Sequence, residues 1–430
     1  MKKLKLALSG ILAVPTFAML PMGSQTQAQA QEMQTAPFFE TLKPYLIFRP
    51  RYEFVDDNIH DNANALTVRT VIGSKLISIG GVKGLNAQIE ATNVSALIDN
   101  YNSTSAAGNN DTRYAIVIDP PTTRITQANI SYTTGKTTFI VGRKMVTLDN
   151  HRFIGNVGWR QMPQTFGVIA VINNSIKNFN LLAALVYERL GIKDELNKSW
   201  KLADAPILLH GAYSVSKALK ITVYDYMLTD IHDTYGVRLT GLKKASKSTK
   251  FSYVLEYAWQ DDPTKRDNWN SSTNNIDSYY YDIGLNVYSS GLIFGANYEV
   301  LGEARGNATQ GFSTPLATAH KFQGWSDVLI GKELNGDTNG LKDLLLTIGY
   351  ATKKTGKLLL RFHKYDSKVN SLDYGKEFEF LYVKKITKRL GLLVKGAFYK
   401  AGDDYGYGAS LTPPKKEDVT KTWFQLTYKY

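Results

Sequence analysis

The sequence predicts an all-β protein, an 18-stranded antiparallel transmembrane β-barrel with short periplasmic turns and long extracellular loops. Three observations predict it: the pattern of the last ten residues, the N-terminal segment, and the spacing of the connections. In the last ten residues, polar side chains alternate with the apolar or aromatic Phe424, Leu426, Tyr428 and Tyr430. Only a strand places alternate residues on opposite faces, and here one face suits lipid and the other suits water. Taken alone, the pattern would also fit the terminal strand of a soluble sandwich.

The N-terminal segment predicts export. Met1–Lys5 is basic, Leu6–Leu20 is mainly apolar, and Ala28-Gln29-Ala30 is a small-x-small sequence. This order is typical of a Sec signal peptide. We therefore expect residues 1–30 to be removed and residues 31–430 to form the barrel in the outer membrane of a Gram-negative bacterium. No cysteine follows the apolar run, so the chain is not expected to be a lipoprotein.

Composition agrees with a barrel. After residue 30 the sequence has no apolar run of the roughly twenty residues that a helical span requires. It contains 26 Tyr and 18 Phe, enough for aromatic girdles at both membrane interfaces. It has no cysteine, which excludes disulfides and thiolate metal sites. We expect no metal, no cofactor and no nucleic-acid partner.

Strands and connections alternate regularly along the chain. Alternating segments of the required length number eighteen, an even number, as bacterial barrels have. Every second connection is short, as at Gly80-Gly81, Thr134-Gly135 and Lys217-Ala218, whereas the others are mostly longer. This spacing places both termini in the periplasm. The predicted strands are 43–54, 64–78, 84–95, 123–133, 136–145, 164–173, 177–189, 206–216, 219–229, 233–244, 249–260, 276–288, 290–301, 341–352, 355–366, 373–386, 389–401 and 420–430.

Charged residues on these strands are expected to face the lumen, because charge on the lipid face is costly. A barrel of this size encloses an aqueous channel. The basic side chains assigned to the lumen by alternation are Arg49, Arg51, Arg69, Arg361 and His363, with Arg143 placed inward on its charge alone. The acidic ones are Glu53, Glu90, Glu256, Glu377 and Glu379. Strands 136–145 and 177–189 stay ambiguous, because both faces hold apolar residues. Interleaved arginines and glutamates could brace the wall, or the arginines could attract anions.

Four motifs resemble the alginate-export type of outer-membrane protein. They are Arg49-Pro-Arg-Tyr-Glu53, Tyr114–Pro120, the stretch Leu148–Gln161, and Pro315–Trp325 with Asp327. The resemblance implies a monomeric barrel of eighteen strands with an arginine-rich pore, and it adds further pore residues. These are Arg152, Arg160, His320 and Lys321. The sequence departs from the family after Asp119-Pro120, where acids give way to Pro121-Thr-Thr-Arg124, and it lacks a long periplasmic turn.

The two longest motifs lie in predicted loops. Residues 149–164 and 315–327 mix large apolar residues such as Trp159 and Trp325 with basic ones. Solvated loops seldom need such residues, so we expect both loops to fold into the mouth and narrow it. They could instead pack on each other above the rim.

These observations predict a porin that passes anionic or polar solutes, either small ones or an anionic polysaccharide, through an arginine-lined pore. A surface adhesin or structural barrel that binds partners through its loops is the alternative. An enzyme is not expected, because the sequence has no Gly-x-Ser-x-Gly and no His-Glu-x-x-His. The expected partners are outer-membrane lipid, lipopolysaccharide and the barrel-assembly machinery. The apolar or aromatic residues Phe424, Leu426, Tyr428 and Tyr430 resemble the C-terminal signal that such machinery recognises.

Overall fold

A computed structural model describes residues 41–106, 108–193, 197–266, 275–408 and 415–430. The predicted signal peptide lies outside the described residues. The described part of the chain forms eighteen long strands, which confirms the predicted number. They are β1 (Leu42–Asp56), β2 (Ala63–Leu76), β3 (Leu85–Asn100), β4 (Thr122–Thr134), β5 (Thr137–Lys144), β6 (Thr165–Asn173), β7 (Phe179–Leu190), β8 (Ile207–Ser216), β9 (Leu219–Leu228), β10 (His232–Lys244), β11 (Thr249–Asp261), β12 (Asp277–Ser289), β13 (Leu292–Leu301), β14 (Leu341–Thr352), β15 (Gly356–Ser367), β16 (Asp373–Lys385), β17 (Leu390–Lys400) and β18 (Val419–Lys429).

The strands close into one antiparallel barrel. Each strand pairs with its neighbours in chain order, and β1 also pairs with β18, where Tyr52 lies opposite Phe424. The backbone of Tyr430 completes the seam, because its N–H donates to the carbonyl of Leu46 at 2.9 Å. Closure leaves no unpaired sheet edge, which is the condition for a sheet to cross a bilayer. A two-residue strand, Lys198–Ser199, adds to the end of β7.

Helical structure is minor. Residues Ile330–Asn335 form a short helix, α1, and Ile79–Gly81 and Ala319–Lys321 are single 3₁₀ turns. In the described ranges, no helix has the length and apolarity needed to cross a membrane.

The connections differ at the two ends of the barrel. One end carries 77–84, 135–136, 174–178, 217–218, 245–248, 290–291, 353–355 and 386–389, and we call it the turn end. The other end, the loop end, carries 57–62, 101–121, 145–164, 191–206, 229–231, 262–276, 302–340, 368–372 and 401–418. Three loop-end connections, 57–62, 229–231 and 368–372, are as short as the turns.

Alternation assigns the faces as the sequence predicts on most strands. On β16, Phe378 is 55% exposed on the outer face while Glu377 is fully buried on the inner face. On β18 the outer face carries Phe424, Leu426 and Tyr428, and Tyr430 continues it. The predicted lipid-facing alternation of the C-terminal strand is therefore present. Its role as an assembly signal stays a prediction.

The ambiguous strands have an apolar inner face for a structural reason. On β5, β6 and β7 the buried inner residues include Ile140, Val168 and Val186, and they form one cluster with Ile154 of the connection 145–164. The inner wall is apolar here because a loop packs on it. Both faces of these strands therefore bury or contact apolar material, and the period-two signal disappears.

Arg143 was expected in the lumen, and that prediction is wrong. The register places Arg143 opposite Ala128 and Gly167, on the face where Val141 of the same strand is 52% exposed. Gly167 has no side chain, so Arg143 reaches across β6 to Glu188, with Nη2 to Oε1 at 3.0 Å. Arg143 is one residue from the end of β5. At the membrane interface an outward charge costs only about 0–1 kcal/mol.

Candidate pore constriction

Three loop-end connections enter the lumen and meet there. The connection 145–164 crosses it: Asp149 contacts His210 of β8 at 2.9 Å (Oδ2 to Nε2), whereas Arg160 contacts Glu53 of β1 at 3.1 Å (Nη1 to Oε1). Strands β8 and β9 lie on the far side of an eighteen-strand barrel from β1. The prediction that 149–164 and 315–327 fold inward is confirmed, and the lumen is partitioned by a segment that touches both walls.

Arginines on β1 hold this segment by its carbonyl groups. Arg49 donates to the carbonyls of Gly158 at 3.0 Å and Arg160 at 2.5 Å, and to Gln161 Oε1 at 2.9 Å. Arg51 donates to the carbonyl of Trp159 at 2.6 Å and forms an ion pair with Asp119 of the connection 101–121. A backbone that leaves regular structure needs partners for its carbonyls, and the wall arginines supply them.

Arg160 joins two loops to the wall. Its guanidinium pairs with Glu53 at 3.1 Å and with Asp327 of the connection 302–340 at 3.0 Å. Asp327 also contacts Lys421 of β18, with Oδ2 to Nζ at 3.4 Å. These side chains are at most 10% exposed, so each charge is matched by opposite charges rather than by water.

Arg152 makes a second junction at a different place. It is fully buried, pairs with Glu333 of α1 and contacts Glu299 of β13 at 2.9 Å (Nε to Oε1). Its guanidinium carbon lies 4.6 Å from the centre of the Phe322 ring, and Lys321 Nζ lies 5.6 Å from the same ring. The four loop residues that the resemblance implied as pore residues thus form two pairs: Arg160 with His320 around Asp327, and Arg152 with Lys321 around Phe322.

Glutamates on β16 hold the other loop by its amide groups. Glu377 accepts from the backbone N–H of Trp325 at 2.6 Å and of Ser326 at 3.0 Å. Glu379 accepts from the N–H of Trp325 at 2.8 Å and from Arg361 at 2.9 Å. Wall arginines thus bind loop carbonyls, and wall carboxylates bind loop amides, so that each loop is held by the charge that suits its backbone.

A buried lysine sits between these loops in an aromatic cage. Lys395 Nζ lies 3.9 Å from the ring centres of Trp159 and Trp325 and 4.9 Å from that of Trp423. It donates to His320 Nε2 at 2.6 Å, and His320 Nδ1–H donates to Asp327 at 2.7 Å. Burial lowers the pKa of His320 to about 3, so its ring is neutral. His320 therefore positions Lys395 and adds no charge to the pore.

The remaining predicted residues divide by their partners. His363 contacts Asp343 at 2.9 Å and Glu256 pairs with Arg238, both as braces along the wall. Glu90 accepts from neutral groups, Tyr45 at 2.8 Å and Gln127 at 2.9 Å. Lys321 donates to the carbonyl of Asn150 at 2.7 Å, and its side chain reaches solvent although protein groups surround it on most sides.

Two predicted arginines have no acidic partner. Arg49 and Arg69 lie directly opposite each other on β1 and β2. Arg49 donates only to neutral oxygens, and Arg69 forms no ion pair in the described part of the chain. They are 9% and 8% exposed. Like charges directly opposite repel each other, and although Glu90 and Asp119 lie near enough to act on them, neither arginine has a carboxylate in direct contact.

Sequence reasoning missed four acidic partners, of which three lie in loop-end connections and Glu299 lies on β13. Asp119, Asp327, Glu299 and Glu333 neutralise the loop and wall arginines, but only the first two stand in motifs quoted above. The sequence offered one indication of these partners. An acidic residue within a mainly apolar loop motif is expected to be buried, and a buried carboxylate needs a cation beside it. Among the described residues, no group of His, Cys, Asp or Glu side chains is arranged to hold a metal ion.

Comparison with known proteins identifies the fold. No protein-family model and no curated protein matches the chain. Among solved structures, OccAB2 of Acinetobacter baumannii matches with a TM-score of 0.68 and 17% identity, over 92% of this chain and 99% of that one. OccK8 (OprE) of Pseudomonas aeruginosa gives 0.67 and 16%, over 92% and 99%. A BenF-like porin from Pseudomonas fluorescens Pf-5 gives 0.66 and 14%, over 91% and 100%.

These proteins are of a different type from the alginate exporters. The resemblance of the four motifs to that family is therefore not supported by the comparisons, and an alginate substrate is not carried further. At these identities the comparisons establish architecture: the chain shares the closed barrel fold of outer-membrane porins.

Proposed function

We propose that the chain is an outer-membrane channel that passes small anionic or polar solutes. The observation that carries the anion preference is the pair Arg49 and Arg69, two adjacent lumenal cations without a carboxylate partner. Nearly all other charges at the constriction are matched by neighbours, so they brace the loops and contribute little net field. An unmatched guanidinium in a narrow lumen attracts anions and can bind a carboxylate through two hydrogen bonds.

The crossing loop favours small solutes over a polymer. Because 145–164 is anchored to β1 at Arg160 and to β8 at Asp149, a polysaccharide chain would have to displace contacts on both sides. A small solute passes beside the segment without breaking them. The size of the conducting path therefore distinguishes these two cargoes.

The proposal includes an orientation. The turn end faces the periplasm and the loop end faces the exterior, as the usual arrangement of such barrels implies. Sec export, the barrel-assembly machinery and contact with lipopolysaccharide belong to the same proposal. An adhesin that binds through its long loops is the competing function.

Single-channel recording in planar bilayers tests the proposal. The purified barrel should conduct, and the reversal potential in a salt gradient should show an anion preference. Arg69→Gln should reduce that preference. Lys247→Gln, in a turn, should change it little, because salt screens an exposed charge that lies more than a Debye length of about 8–10 Å from the conducting path. A cation-selective parent would show that the carboxylates dominate, and a folded barrel that does not conduct would favour the adhesin.

A further inference from the structure

The turn end of the barrel carries basic residues and no acidic ones. In the described residues, neither Asp nor Glu occurs in any of the eight turns or within two residues of them. Lysines and one arginine occur in or beside seven of the eight turns, near the start of β1 and near the end of β18. They are Lys43, Lys75, Lys83, Lys136, Lys177, Lys217, Lys220, Lys243, Lys244, Lys247, Lys250, Lys353, Lys354, Lys357, Lys384, Lys385, Lys388, Arg389 and Lys429.

Of these residues, only Lys220 forms an ion pair in the described part of the chain, with Asp149 at 3.5 Å (Nζ to Oδ1). Lys217, Lys353, Lys354 and Lys388 are exposed and form no ion pair in the described part of the chain. The loop end differs, because its surface lysines stand among acids: Lys364, for example, contacts Asp366 at 3.3 Å. The turn end is thus a ring of uncompensated positive charge, whereas the loop end is mixed.

Outward-facing tyrosines lie directly beside this ring. Tyr132, Tyr213 and Tyr350 are 42%, 44% and 40% exposed on the outer face, each within a few residues of a turn lysine. Tyrosine on a barrel surface sits at the level of the lipid head groups. At the chain terminus the guanidinium carbon of Arg389 lies 4.6 Å above the Tyr430 ring. The basic side chains are therefore placed at or just beyond head-group depth.

We propose that the turn end binds the phosphate groups of anionic phospholipids in the leaflet that it contacts. The inference rests on the membrane insertion in the proposed function and adds a partner to it. The charges follow the whole circumference of the barrel, as the surrounding lipids do, whereas a protein partner would need one patch. They also do not converge on a point, so they form no pocket for free phosphate. Basic residues beside a membrane attract anionic lipids in this way.

Electron paramagnetic resonance with spin-labelled lipids tests the proposal. The mature barrel is reconstituted in phosphatidylcholine vesicles at low salt with traces of spin-labelled phosphatidylglycerol or phosphatidylcholine. The immobilised fraction gives the relative affinity of each lipid. We expect about a fivefold preference for phosphatidylglycerol, the factor that corresponds to one basic side chain acting on each head group.

Matched variants locate the effect. The turn-end variant combines Lys217→Gln, Lys353→Gln and Lys388→Gln, and the loop-end control combines Lys201→Gln, Lys376→Gln and Lys415→Gln; all six lysines are exposed. The preference should fall at least twofold in the turn-end variant and persist in the control. Heat-modifiable gel mobility confirms that both variants fold.

Three results would overturn the proposal. They are an equal affinity of the parent for both lipids, an equal loss in both variants, and complete competition by inorganic phosphate at constant ionic strength. Conductance is measured in parallel in phosphatidylcholine. A channel that conducts without lipid preference contradicts only this inference, whereas a silent barrel that retains the preference contradicts only the channel function.

Discussion

Replacing Asp327 by asparagine should release the two lumenal loops from each other while the barrel stays folded. Asp327 contacts Arg160 at 3.0 Å, His320 at 2.7 Å and Lys421 at 3.4 Å, and it is 10% exposed. Its φ is 62°, a left-handed conformation that asparagine tolerates better than most residues. Asp327→Asn therefore removes a charge with little change in shape or backbone strain.

The free-energy cost of Asp327→Asn follows from which charges lose their partner. Arg160 keeps Glu53, but Lys421 loses its carboxylate, and removing one member of a buried ion pair costs about 3–5 kcal/mol. Asparagine still hydrogen-bonds, so we expect the lower value, about 3 kcal/mol. Since about 1.4 kcal/mol is tenfold, the loop-displaced state should become about 100-fold more populated.

Single-channel dwell times measure this population. Current fluctuations between two conductance levels should be rare in the parent and frequent in Asp327→Asn. Asp366→Asn is the control, because Asp366 pairs with Lys364 at 3.3 Å where both are more than a third exposed, and such pairs contribute about 0–1 kcal/mol. If the dwell-time ratio changes less than about fivefold, or equally in both variants, Asp327 does not hold the loops together.

Three further predictions concern other parts of the chain. Burial among protein groups, together with Arg238 and Arg361, lowers the pKa of Lys321 to about 8. Lys321 therefore loses its positive charge as the pH rises through that value. The anion preference, measured by reversal potential, should fall between pH 7 and 9 in the parent and stay constant in Lys321→Arg. Arg152→Ala with Arg160→Ala leaves buried carboxylates unmatched, so the reversal potential should shift toward cations and the current should become noisier; unchanged selectivity would exclude a role for both junctions. Deleting Tyr430 should lower outer-membrane assembly while secretion persists, measured by fractionation and heat-modifiable mobility, and normal assembly would remove the signal interpretation.

The strands were predictable because the two faces of each strand contact different surroundings. Lipid outside and a polar lumen inside impose a period of two, and β16 shows it in Phe378 and Glu377. The prediction became ambiguous where the lumen itself is apolar. On β5 to β7, Ile140 and Val186 face a loop rather than water, and no local pattern distinguishes a loop-covered inner face from a lipid-covered outer one.

The error at Arg143 has a related cause. The rule that charge points inward holds at mid-membrane, where an outward arginine costs about 2–4 kcal/mol, and it weakens at the interface. Arg143 is one residue from the end of β5 and meets Glu188 there. The depth of a residue in the membrane decides whether an outward charge is tolerated, and the alternation of residues along a strand does not reveal that depth.

The partners of the constriction could not be predicted from local sequence. Arg160 and Glu53 are 107 residues apart, and Arg152 and Glu333 are 181 apart. Which loop acid meets which arginine depends on how far each loop reaches into the barrel. The sequence predicted a surplus of lumenal arginines, but most of the arginines at the constriction are paired with acids that only the fold brings near.

Lys395, in its aromatic cage, indicates why so many charged groups are buried where the loops meet the wall. Apolar loops alone could settle against an apolar wall in several positions of similar energy. Lys395 restricts them, because in the observed placement Trp159, Trp325 and Trp423 surround its ammonium group and His320 accepts its hydrogen bond. A buried cation left without these partners would cost several kcal/mol, so alternative loop positions are disfavoured. Paired charges thus fix most of the constriction, and Arg49 and Arg69, which form no ion pair in the described part of the chain, are where the proposed function places the solute.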